Sequence, residues 1–139
     1  MSLAKLCAVL LLVGSTAAVV GDDNAKLAAA EPVVSAWAAL MDAGRYEDCW
    51  SSLSETRRTK LPKDQWLLYM SFVRKPMGAL KVRKQIGAKY VASLKNLPDQ
   101  EGAIFTFDSS FEGRASVQET FGVIHDKDGQ WRVGHYLTN

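Results

Sequence analysis

The side chains that could carry chemistry in this chain of 139 residues are few: two histidines, two cysteines and one oddly placed glutamate. His125 and His135 flank Asp126-Lys127-Asp128-Gly129-Gln130, which predicts a hairpin with a three-residue loop and Gly129 in the left-handed position. That loop pairs Asp126 with Gln130, sets His125 opposite Trp131 and sets His135 opposite Phe121. The two rings then share a face but stand four residue steps apart, roughly 13 Å at about 3.3 Å per residue. Zinc ligands must lie about 2 Å from a common ion, so this spacing excludes a shared metal site. No Cys-x-x-Cys or His-Cys spacing supplies another, and no cofactor is indicated.

Glu119 is the second candidate. Strand parity puts it on the apolar face, across from Phe107 on one side and Leu137 on the other, with His135 as its diagonal neighbour. An apolar setting disfavours the charged form of a carboxyl group, which is how acid–base residues are tuned. Glu119 and His135 are therefore ligand-binding or proton-transfer candidates, with Tyr90 or Tyr136 at the rim of an enclosed pocket. The structural alternative is that a base from the helical layer, such as Arg74, neutralises Glu119, or that it reaches solvent at the sheet edge. No nucleophile–base pair, glycine-rich phosphate loop or triad order accompanies these residues, so no catalytic residue is assigned.

The elements that must position these groups change character midway. Apolar residues Val33, Val34, Trp37, Leu40 and Met41 recur at helical spacing over 29–43, and Gly44 ends the run. A second helix is expected over 45–53, and a third over 63–73, stopping before Pro76. From Val82 the period becomes two: Val82, Ile86, Ala88, Tyr90, Ala92 and Leu94 take one face, while Arg83, Gln85, Lys89 and Ser93 take the other. A strand over 82–94 is long, so a bulge or bend is expected near Gly87. Further strands are expected over 103–111, 115–125 and 130–137. The last hairpin puts Phe121, Val123, Trp131, Val133 and Leu137 on a common face. The preceding one pairs Phe111 with Ala115, aligning Phe105, Phe107 and Phe111 with Val117 and Phe121. The fold class is α+β, with about three N-terminal helices on the apolar face of a four-stranded antiparallel meander.

The first residues have the layout of a secretory signal: Lys5, an apolar core over 6–13, then small residues over 14–18, with Gly21 a later cleavage option. The core is shorter than the roughly 20 residues that span a bilayer. We expect residues 1–21 to be removed, leaving one domain over 22–139 that is periplasmic or secreted and not stably inserted in a membrane. Only Cys49 then remains, so no intramolecular disulfide forms, and its neighbours Tyr46 and Trp50 suggest a buried, inert thiol.

A formal charge of +2 hides an asymmetry. Residues 57–95 carry eleven Lys/Arg and a single acid, between two acidic segments. Arg57, Arg58, Arg74, Lys75, Lys81 and Lys84 are thus candidates for an anionic surface, unless the segments neutralise one another on folding. Nucleic acid is not expected as a partner, because export removes it and the aromatic residues do not interleave with the bases.

Trp37-x-x-Leu40-x-Asp42-x-Gly44-x-Tyr46-x-x-x-Trp50, then Trp66, Arg74-x-Pro76-x-Gly78 and Asp128-Gly129-Gln130-Trp131-Arg132-Val133 with Tyr136, form an ordered set. The set resembles an uncharacterised family of small secreted bacterial proteins, domain of unknown function 4019, over roughly residues 30–139. Gly134-His135 departs from the family pattern, in which a Gly stands just before the final Tyr. The resemblance implies a fold similar to the nuclear-transport-factor-2-like or cystatin-like cone, and no activity. Three roles follow: a periplasmic binding or accessory module for a protein or envelope component, with homodimerisation through the sheet face among its modes; a small acid–base enzyme around Glu119 and His135; or a structural, inhibitor-like protein.

Overall fold

The computed structural model describes residues 17–139, so the signal core expected over 6–13 lies outside the described residues. Four helices come first: α1 (Ala17–Asp42), α2 (Tyr46–Ser51), α3 (Glu55–Arg58) and α4 (Lys63–Val73). A 3-10 turn (Lys75–Met77) leads into β1 (Leu80–Val91), β2 (Gly102–Phe111), β3 (Arg114–His125) and β4 (Trp131–Thr138). The strands form one open antiparallel sheet in the order β1-β2-β3-β4, and α1 packs across the face of all four. This is the expected α+β arrangement, with a short extra helix at α3.

α1 begins earlier than the pattern predicted. The alanine-rich stretch 25–30 has high helix propensity, and Pro32 sits inside the helix without ending it. A proline there removes one backbone bond. Ala30, Val34, Trp37, Ala38 and Met41, all buried against the sheet, hold the helix from the other side. Three indole N–H groups lock the helical layer. Trp37 donates to the Cys49 carbonyl at 2.9 Å, Trp50 to Leu61 at 2.8 Å and Trp66 to Tyr46 at 2.8 Å. Each large ring thus buries its apolar body with its polar atom satisfied.

The terminal hairpin has the expected loop: the Asp126 N–H donates to the Gln130 carbonyl, and Gly129 sits at φ 83°. His125 faces Trp131, and the two rings stack at 4.6 Å. Cys49 is fully buried, and burial pushes its thiol up to about 12.

The ladders slip at four places, Leu80/Val82 and Gln85/Gly87 in β1, Ser109/Phe111 between β2 and β3, and Gly122/Val123 between β3 and β4, and these slips move residues off their expected facing. In β1 the ladder shifts between Gln85 and Gly87, where a bulge was expected, and an extra residue reverses the parity of everything on one side of it. Ala88 and Tyr90 do lie across from inward-facing Phe105 and Ala103. Arg83, however, pairs with Ser109 and turns inward, while Val82 and Ile86 are exposed. The predicted faces are therefore inverted over the first half of β1. In β4 the ladder shifts at Gly134, so Phe121 faces Tyr136 and Gly122 faces His135. Tyr136 is buried, His135 and Leu137 are exposed, and the residue across from Glu119 is Thr138, not Leu137. At the β2–β3 turn Phe111 pairs with Arg114 in place of Ala115. Phe111 still turns inward, closing a small second core with Met77 and Val117.

Candidate functional site

Glu119 is 0% exposed at the centre of the sheet's inner face. Its Oε1 accepts from Arg83 Nε at 2.8 Å and from the Ser109 hydroxyl at 2.5 Å. Its Oε2 accepts from the Tyr136 hydroxyl at 2.6 Å and from Arg83 at 3.2 Å. Arg83 reaches onward to Asp42 at the end of α1, with bonds of 2.7 and 2.9 Å. Arg74, itself buried, donates to Asp42 at 3.2 Å and to the Gly78 carbonyl at 2.7 Å. Two carboxylates and two guanidiniums thus form a neutral network that joins α1, the turn before β1 and all four strands.

Burial works against the Arg83 charge, but the bonds to Asp42 and Glu119 outweigh it, so its pKa is raised. Burial, reinforced by the neighbouring Glu119 charge, also raises the Tyr136 pKa and keeps its hydroxyl a donor. Such an arrangement satisfies every oxygen of Glu119 internally. Glu119 lines neither the groove beside β4 nor four other surface clefts.

The sequence-derived candidates therefore separate. Glu119 and Tyr136 meet, but in the core and not around a pocket. His135 projects from the opposite face and is not a neighbour of Glu119, because the β4 bulge moved it. Arg74 contributes to the network as its outer member, while the direct partner is Arg83, a residue parity reasoning had turned to solvent. Ser109 was legible: it interrupts the inward run Phe105, Phe107, Phe111 with a hydroxyl diagonal to Glu119.

Tyr90 belongs to a second cluster at the far end of β1. Its hydroxyl donates to Glu101 and accepts from Lys26 Nζ at 3.0 Å. Lys26 also lies 2.5 Å from Glu101, and His125 Nδ1 stands 2.8 Å from the other carboxylate oxygen. Burial opposes the Glu101 charge, but bonds from Lys26, Tyr90 and His125 prevail and hold its pKa at about 2. This cluster ties α1 to the start of β2.

The six cations expected on an anionic surface do not form one patch. Arg74 is buried and paired. Lys81 and Lys84 lie on β1 and Arg57 and Arg58 on α3, which packs by β4 at the opposite edge of the sheet. Lys84 also faces Asp108 in the ladder, and Lys75 sits apart in the 3-10 turn. Of the basic segment, Arg74, Arg83 and Lys63 form ion pairs with acids of the flanking segments, Asp42, Glu119 and Glu47.

A largely apolar opening lies between β4 and the helical layer. A groove of about 390 Å³ is walled by Leu53, Leu61, Trp66 and Tyr69 on one side and by residues 134–137 of β4 on the other. Arg57, Gln65 and His135 are among its polar lining residues, and no acidic residue lines it. Arg57 forms no ion pair among the described residues. Tyr69 continues onto an exposed ridge of α4, where Leu68 and Phe72 lie one turn apart, 59% and 74% exposed. Among the described residues no cluster of His, Cys, Asp and Glu could hold a metal ion.

The family model described as "Protein of unknown function (DUF4019)" matches residues 33–136. The chain belongs to this family. The match runs from Val33 in α1 to Tyr136 in β4, so the Glu119 network and every groove residue except Leu137 of this DUF4019 protein fall within it. No curated protein and no solved structure matches the chain.

Proposed function

We propose that this DUF4019 domain is an exported binding or accessory module that engages a protein or envelope component through the groove beside β4. The observation that carries this reading is the groove itself, an open apolar wall with one unpaired cation and no acid. It falls in the size range of binding clefts and is continuous with exposed Leu68 and Phe72 on α4. Exposed apolar surface of this kind is retained at interaction sites. The acid–base alternative receives no support from the geometry, since Glu119 is saturated by Arg83, Ser109 and Tyr136 and His135 faces away. Removal of the N-terminal signal, action in the periplasm, and kinship with the nuclear-transport-factor-2-like or cystatin-like group are parts of the same proposal. The helices-then-meander order supports that kinship.

The test is site-specific photocrosslinking in the native host. A photoreactive side chain at Tyr69 or Leu137 should yield a discrete adduct in the envelope fraction, and one at Lys127 on the hairpin loop should not. Equal background from all three positions would defeat the reading.

A further inference from the structure

How the groove meets β4 indicates what fills it, and this inference rests on the groove reading above. Successive residues of a strand point to opposite faces, yet residues 134, 135, 136 and 137 all border the cavity. Past the slip at Gly134, His135, Tyr136 and Leu137 alternate faces and all touch the cavity, which puts it against the strand's edge. β4 ends the sheet, so that edge has no neighbouring strand.

The backbone on that edge is unspent. Gln118 and Asn139 exchange both N–H···O bonds at 3.2 Å, which marks a hydrogen-bonded antiparallel pair. By alternation, Leu137 and His135 also turn their backbone groups toward β3, against Thr120 and Gly122. Tyr136 and Thr138 therefore turn theirs outward. On the same edge the Val133 carbonyl is already taken by the Ser54 N–H at 2.9 Å. Past that point, no backbone partner outside the sheet reaches Tyr136 or Thr138 among the described residues.

We propose that the groove captures an extended, acidic segment of a partner protein, which adds as a fifth strand to β4. Strand addition satisfies the outward N–H and C=O groups of Tyr136 and Thr138. Alternate side chains of the guest fall on the wall of Leu53, Leu61, Trp66 and Tyr69, and a carboxylate meets Arg57. Charge complementarity selects an acidic guest, because the groove offers a free guanidinium and no anion. A fatty acid would use the wall and Arg57 but leave the strand edge unbonded, so the open edge favours a peptide.

Panning the full chain against displayed random peptides of about ten residues, near strand length, tests this. The expected winners alternate apolar and polar residues and carry an acid. Arg57→Glu should weaken them at least about tenfold, and Thr138→Pro, which deletes one outward N–H, by about tenfold. Amide exchange at Tyr136 and Thr138 should slow on binding while that at Phe105 stays unchanged. Circular dichroism of both variants separates lost binding from lost fold. Enrichment of helix-patterned or basic peptides would overturn strand addition, as would no enrichment above Arg57→Glu. Binding without protection of those two amides would overturn it too, while leaving the groove reading intact. If groove crosslinks are also absent, both readings fall.

Discussion

Replacing Arg83 by methionine tests the central network most directly. The substitution keeps much of the side-chain stem and deletes a guanidinium that makes two bonds to Glu119 and two to Asp42. Asp42 is 22% exposed and retains Arg74, so its share of the loss is softened by water. Glu119 has no such relief: it stays fully buried with only the Ser109 and Tyr136 hydroxyls as donors. Exposed ion pairs are worth about 0–1 kcal/mol, whereas removing one partner of a buried pair costs about 3–5 kcal/mol. With Arg83 itself 12% exposed, the buried case applies, and the expected loss is about 3–4 kcal/mol. For a domain of this size that lowers Tm by roughly 10–20 °C. Urea unfolding followed by tryptophan fluorescence should show the midpoint fall with little change in slope. The double variant Arg83→Met with Glu119→Met removes the stranded charge and should regain much of the loss. A single-variant cost below about 1 kcal/mol, or a double variant no more stable than the single, would refute the buried-pair reasoning.

Two further outcomes follow. Glu101 is held at about 2, below its ordinary 4.5, so its contribution is complete above pH 4.5 and lost as pH falls toward 2. The native chain should lose stability across that window, and Glu101→Gln should flatten the slope; an unchanged acid profile would contradict the cluster. Cys49, buried with its thiol pushed up to about 12, should resist a thiol reagent at pH 8 and react once urea unfolds the chain. Labelling of the native protein at the unfolded rate would show the site is open.

Much of the architecture was legible because it rests on local spacing. Trp37 and Met41 mark the buried stripe of α1, Pro76 follows the end of α4, and Gly129 allows the three-residue loop that sets His125 on Trp131. The inward turn of Glu119 was also legible, from its place between Val117 and Phe121. The charged partners, Arg83 and through it Asp42, were not. Arg83 has the sequence surroundings of an outward lysine-like residue, between Val82 and Lys84 on a basic strand. Asp42 adjoins the last buried residue of a helix forty positions away from it.

Alternation by itself determined that four strands exist, where they turn and which residues share a face within any unbroken stretch. Composition along the chain gave the charge asymmetry. The tertiary structure decided where the alternation slips. A bulge adds one residue to one strand and flips every side chain beyond it, and its position depends on what the facing strand and the helical layer can bury. The slip before Gly87 brought Arg83 inward to Glu119, and the slip at Gly134 exchanged His135 for Tyr136. Those two one-residue shifts converted an expected acid–base pocket into a closed ion-pair network.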